Sequence, residues 1–254
     1  MKKDDYYIYG KHAVFSALNN PERKIDEVFC IERNTDLRQS LEKLIKKSSQ
    51  NIKLKYFDNK EIGRLIKGNI KHQGVIAKSY KLKIKKYDNV FDKKNCKTNK
   101  KYGVILDRLT DPNNIGAIYR SAKAFGVGFV INTERNSVIE NNTILNVACG
   151  TFDSLQTYIT NNISTAIKKF IHEGWWVIGL DHEAKSTIDS IIKKIKTTEK
   201  IIFVFGSEGK GIRRLIKQNC NFTARIPNVP NTKSINVSNA AAIVFYELFK
   251  MNNS

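Results

Sequence analysis

Three short clusters between positions 107 and 238 carry most of the side chains that could do chemistry. The first, at 107–128, reads DRLTDPNNIGAIYRSAKAFGVG. Asp111-Pro112 sets a turn, Asn113 or Asn114 can cap the helix that follows, and Arg120 lies between Ile118 and Ala122 on an otherwise apolar helix. A capped helix with a surface arginine is the plain alternative. The second, at 205–211, is FGSEGKG, where three glycines between an apolar strand and a helix let backbone N–H groups approach a ligand closely. Glu208 sits inside that turn, and the spacing fits neither the phosphate loop GxxxxGK[ST] nor GxGxxG. The third, at 226–238, is IPNVPNTKSINVS, running into the alanine-rich apolar stretch 239–249. Ser234, Asn236 and Ser238 alternate with Ile235 and Val237, so the apolar pair plugs inward while the polar groups face a ligand. A plain helix cap accounts for one of those groups and leaves the others unexplained.

Metal chemistry has no support in the pattern. His12, His72, His172 and His182 share no HExxH or facial-triad spacing, and Cys30, Cys96, Cys149 and Cys220 are scattered without a CxxC pair. Reduced thiols in a cytoplasmic protein are expected. The formal charge of +20 points to a polyanionic partner, with nucleic acid ahead of an anionic membrane surface. Only ten of the 44 basic residues are arginine, so a diffuse, composition-driven excess of lysine is the alternative to a binding face. The start, MKKDDYYIYG, has no apolar signal core, and no window approaches the roughly 18 apolar residues of a membrane span. A soluble protein is expected.

The elements that must position the clusters divide the chain in three. Residues 5–80 read as a small α/β unit, with helices at 12–18, 37–47 and 61–66 and strands at 27–31, 53–57 and 74–79. Residues 81–101 hold nine lysines and few large apolar side chains, which predicts a solvated linker or an RNA-contacting strap. Residues 102–252 read as a second α/β domain. Its apolar strands at 104–107, 129–131, 175–179, 201–205 and 222–226 alternate with helices at 115–125, 163–173 and 212–219. Continuous runs such as IIFVF mark strands covered on both faces, hence a mostly parallel sheet, whose ligands bind beyond the carboxyl ends of the strands. All three clusters follow such strands.

Asn114-Ile115-Gly116 with Arg120, then Gly206, Glu208 and Gly209, then Ile226-Pro227 followed by Ser234-Ile235-Asn236-Val237-Ser238 resemble the three motifs of the SpoU (TrmH-type) RNA 2'-O-ribose methyltransferases. Order and separation fit across 103–250. Tyr9-Gly10-Lys11-His12-Ala13-Val14 and His72-Gln73-Gly74-Val75 are similar to the opening and close of the small substrate-binding domain in the 23S rRNA guanosine methyltransferases of that family.

The resemblance implies an α/β trefoil-knot catalytic domain behind a small N-terminal α/β RNA-binding domain, working as a homodimer. It implies S-adenosylmethionine gripped by backbone at Gly206, Ile226 and Ile235. A ribose 2'-hydroxyl is a poor nucleophile at neutral pH, so Arg120 is expected in a desolvated place, stabilising the developing alkoxide or assisting its deprotonation. Asn114, Glu208, Ser234 and Asn236 would position Arg120, the ribose and the methionine end of the cofactor. No metal and no membrane enter. The implied substrate is a guanosine in large-subunit rRNA, with a tRNA guanosine or a non-catalytic ribosome-assembly role as alternatives. Where the family usually has Ile-Pro-Met-x-Gly, this chain has Ile226-Pro227-Asn228-Val229-Pro230, and proline fixes φ and removes a donor.

Overall fold

The computed structural model describes residues 6–58, 61, 72–92, 101–135, 137–195, 199–207, 209, 211–229 and 234–253. Its contacts divide the chain into two compact units, Met1–Lys83 with Glu140–Ser154, and Ile84–Ile139 with Leu155–Ser254.

In the first unit, strands β1 (Tyr6–Tyr9), β2 (Ile25–Ile31), β3 (Lys53–Phe57) and β4 (Val75–Ser79) form a sheet of order β1-β4-β2-β3. β4 runs antiparallel to both β1 and β2, while β2 and β3 are parallel. The helix Lys11–Asn19 buries Ala13, Val14, Ala17 and Leu18, a stripe of helical period. The helix Thr35–Lys47 starts where Asn34 accepts a hydrogen bond from Leu37 N, and it buries Leu37 and Leu41, four positions apart. Both helices fall where the pattern put them. The β1 strand was not anticipated, and apart from Glu61 the helix expected over 61–66 lies outside the described residues.

Residues 140–154, expected within the second domain, belong to the first unit. Gly150 makes that docking close, because a Cβ there would stand 2.5 Å from the His12 carbonyl oxygen. Arg23 fixes it electrostatically. Its side chain is wholly buried, 2.8 Å from Asp153 and 2.5 Å from Glu140. A buried guanidinium is tolerated only with such complete pairing. Burial, with Glu140 beside it, also pushes the Tyr6 phenol well above its ordinary range.

In the second unit, β5 (Lys85–Lys86), β6 (Tyr102–Leu106), β7 (Phe129–Thr133), β8 (Gln156–Thr160), β9 (Trp175–Leu180), β10 (Lys200–Phe205) and β11 (Phe222–Ala224) make a sheet of order β11-β9-β10-β6-β7-β8-β5. Every neighbouring pair is parallel, as the apolar strands required. Strand alternation splits the core into two layers. Ile202 and Val204 face a cluster with Phe129, Phe170 and Trp175, whose Phe170 and Trp175 rings are 5.2 Å apart. Phe203 and Phe205 face the opposite way, where Phe205 meets Phe245 of the C-terminal helix Val237–Asn253 at 5.8 Å. That helix therefore belongs to the core and packs beside the helix Pro112–Ala124.

The segment 81–101 is not a free linker where it is described. Lys85–Lys86 pairs with β8, and Val90 is buried with Tyr87 and Phe91 against the Phe170 layer. The lysine count concealed three apolar anchors. Residues 93–100 lie outside the described residues. No described helix is long and apolar enough to cross a membrane.

Candidate active site

β10 and β9 are adjacent inner strands of the parallel sheet, and the chain leaves their carboxyl ends at Phe205 and Leu180. The residue after Phe205 is Gly206, and no other residue fits there. A Cβ would stand 2.0 Å from the carbonyl carbon of Gly211. The loop folds back on itself through Gly211 N donating to Ser207 O at 2.9 Å, with Gly209 and Gly211 at positive φ. Backbone thus forms one wall of a cavity of about 650 Å³. Leu180, Asp181 and His182 supply a second wall, Arg225, Ile226 and Asn228 a third, and Ser234, Ile235 and Asn236 the last.

The 234–236 wall is fixed by helix capping. Asn236 Oδ1 accepts from Ser238 N at 2.9 Å and from Ser238 Oγ at 2.6 Å, so Asn236 is the residue at which the helix Val237–Asn253 begins. Ser238 is thereby used by the cap and is absent from the lining. Asp181, 9% exposed at its side chain, pairs with Lys217 at the cavity edge. Burial pushes the neighbouring Cys220 thiol up to about 12.

Five of the eight sequence-derived site residues line this one cavity: Gly206, Ile226, Ser234, Ile235 and Asn236. Asn114 and Arg120 do not. Asn114 is buried but does not cap its helix; Asp111 does, accepting from Asn113 N at 3.0 Å, while Asn114 Nδ2 donates to Asp111 Oδ2 at 2.8 Å. Aspartate competes well for a cap ahead of proline at the first helical position. Arg120 is exposed in the single chain, not desolvated as expected, because it points off the one face of the Pro112–Ala124 helix that is not packed. Glu208 and Pro230 lie outside the described residues.

Sequence reasoning missed the pair Asp107–Arg213. Arg213 Nε and Nη2 donate to the two oxygens of Asp107 at 3.0 and 2.8 Å. An acidic residue ending an apolar strand and an arginine just past the glycine loop were the available signals. Asp181 and Arg225, each one residue beyond a strand or its continuation, were likewise passed over. Among the described residues no cluster of histidine, cysteine or acidic side chains could hold a metal ion.

Comparison with known proteins gives this geometry a class. Residues 101–246 match the model of the SpoU rRNA Methylase family, and residues 7–84 match that for RNA 2'-O ribose methyltransferase substrate binding. The chain is 34% identical to the 23S rRNA (guanosine-2'-O-)-methyltransferase RlmB of Coxiella burnetii, over 95% of this chain and 94% of that one. It is 31% identical to RlmB of Escherichia coli K12, over 97% and 98%. In structure it is similar to the SpoU methyltransferase AviRb from Streptomyces viridochromogenes, solved in complex with AdoMet, with a TM-score of 0.78 at 18% identity over 99% of this chain and 91% of that one. An α/β protein with a parallel sheet and a cavity at the strand ends is here an RNA 2'-O-methyltransferase. The chain belongs to the SpoU methylase family.

S-adenosylmethionine is the cofactor of that family. The cavity suits it chemically. Apolar Leu180, Ile226 and Ile235 can sandwich an adenine, the bare backbone at Gly206 admits close approach, and Ser234, Asn236, Asp181 and Arg225 offer partners to the polar ends.

Proposed function

We propose that the protein methylates the 2'-hydroxyl of a guanosine in 23S rRNA, in the cytoplasm and as a homodimer. The observation carrying this reading is end-to-end correspondence. Both family models match in order, and the relatives named for 23S guanosine methylation align over nearly their whole length. The catalytic unit of this reading is a trefoil knot, in which the 226–236 segment closes the cofactor cavity against the 206–211 loop. That both segments line one cavity supports it.

When bound, S-adenosylmethionine supplies a sulfonium-activated methyl group for in-line displacement. Gly206, Ile226 and Ile235 hold the cofactor through backbone and apolar contact. Ser234 and Asn236 orient its polar end and the ribose, with Glu208 assigned to the same task. Arg120 stabilises the charge that develops on the ribose oxygen. In this reading Asn114, locked to Asp111, sets the entry of the helix that carries Arg120.

Arg120 lies off the cavity of its own chain, and this is why the dimer matters. Beside its helix, Ile243, Tyr246 and Phe249 of the C-terminal helix remain exposed, with Phe125 packed against Tyr246 and Phe249 at 5.7 and 5.9 Å. Such a contiguous apolar face suits a second copy. The dimer would bring Arg120 of each copy to the cavity of the other.

Incubating the protein with labelled cofactor and large-subunit rRNA tests the function. Label should enter RNA and map to an alkali-resistant guanosine, and Arg120→Ala should abolish transfer without unfolding. Preferred labelling of tRNA in competition would move the substrate, and calorimetry showing no cofactor binding in a protein that still binds rRNA tightly would mark a non-catalytic factor.

A further inference from the structure

The Asp107–Arg213 pair is lopsided. The Asp107 side chain is 1% exposed, whereas that of Arg213 is 44% exposed. The carboxylate end is hidden while the guanidinium end reaches solvent. Here the carboxylate takes Nε and Nη2, and Nη1 makes no hydrogen bond among the described residues. Two-point attachment fixes the plane of the guanidinium, so its free edge is already oriented for a second planar or tetrahedral anion.

The neighbours supply the charge that Asp107 cancels. Arg108 and Arg214 are both exposed and make no ion pair among the described residues. Arg108 is also one of three non-glycine residues at positive φ among the described residues, at 58°. It stands between Asp107 and Leu109, each 1% exposed, and the left-handed turn lets both be buried while Arg108 is thrown outward. Backbone strain kept at a non-glycine residue is a pointer to function. Position adds the rest. Asp107 N donates to Phe205 O at 2.8 Å, one residue before Gly206, and Arg213 follows Gly211 by two, so both stand next to residues of the cavity wall.

We propose that Arg213, held by Asp107 and flanked by Arg108, grips a backbone phosphate of the RNA substrate beside the cofactor cavity. This rests on the reading of the chain as an RNA methyltransferase. Arg213 and Arg108 are positioning residues: they fix the register of the strand so that one ribose faces the cavity, and take no part in the transfer.

The test measures affinity for an in vitro transcript of large-subunit rRNA against salt, with cofactor affinity measured separately. Asp107→Asn combined with Arg213→Gln keeps a neutral hydrogen-bonded pair, so no buried carboxylate is orphaned. It should weaken RNA binding about tenfold. The slope of log affinity against log salt should fall by about one, with cofactor affinity unchanged. Arg108→Gly relieves the backbone and removes a charge, so it should raise the thermal midpoint while lowering the same slope. Arg213→Lys should retain most of the slope. An unchanged salt slope in the Asp107/Arg213 double variant overturns the proposal, as does loss of slope accompanied by equal loss of cofactor binding. Failure of the unaltered protein to label any RNA would instead defeat the functional reading itself.

Discussion

Arg23 and Asp153 stand 130 positions apart in sequence and meet through two parallel hydrogen bonds, Nε to Oδ1 at 2.8 Å and Nη2 to Oδ2 at 3.0 Å, with neither side chain more than 1% exposed. With Glu140 on the third nitrogen, the guanidinium is surrounded by compensating charge. Arg23→Met would leave two carboxylates buried without a cation. Urea denaturation should show a loss of about 3–5 kcal/mol. Arg23→Met with Glu140→Gln and Asp153→Asn should recover much of it, since the uncompensated charge is what costs.

Gly206→Ala puts a methyl group where Gly211 already is. The loop must open, and cofactor affinity by calorimetry should drop at least about tenfold, alongside a stability loss of about 1–3 kcal/mol. Gly174→Ala is the control. Its φ is positive, at 78°, so a side chain is strained there, but its Cβ meets nothing within 4 Å and it stands away from the cavity lining, so it should cost stability and leave cofactor affinity alone.

The partly buried Cys220 thiol predicts a specific alkaline weakness. Its pKa rises from an ordinary 9.0 to about 12 in the folded chain through burial. A raised folded value means that the stabilisation is complete below 9 and is lost as pH climbs toward 12, because the unfolded chain releases its proton first. The loss from this group is at most about 1.4 kcal/mol per pH unit across that window. Denaturation midpoints followed above pH 9 should fall less steeply for Cys220→Ala than for the unaltered protein.

If Arg120 serves the opposite copy, two dead variants should rescue one another. Mixing Arg120→Ala with a Ser234→Ala/Asn236→Ala chain should restore about a quarter of full activity, since half the dimers are mixed and each has one complete site. A site built within one chain would give none. Ile243→Asp with Tyr246→Glu should separate the copies, read as a halved mass by light scattering.

The legible parts of the molecule were those in which chemistry is local. Gly206 is confined by its own loop, and Ser234 to Asn236 by a helix start a residue away, so the local residue pattern marked both segments as places for a ligand and the family resemblance supplied their expected roles. The parallel sheet was equally readable from runs such as Ile201 to Phe205, because strands covered on both faces leave no alternation. What escaped depended on partners far along the chain. Asp107 and Arg213 are 106 positions apart, and nothing near Asp107 distinguishes a strand-ending acid from a cap. Asp111 took the cap from Asn113 and Asn114 because Pro112 favours a helix starting at once. The lysines of 81–101 masked Tyr87, Val90 and Phe91, whose three apolar side chains were enough to seat the segment.

The excursion at 140–154 has a consequence for synthesis. The chain completes β4 by residue 79, yet the carboxylates that neutralise Arg23 arrive only with Glu140 and Asp153. On the ribosome, at about 5–20 residues per second, the N-terminal unit waits several seconds with a cationic gap in its interior while β6 and β7 emerge. The usual order, in which the first domain closes before the second begins, is not open to this protein. The first unit can complete its interior only after Asp153 has emerged, and a nascent chain halted before residue 153 should expose a first unit that a protease still cuts.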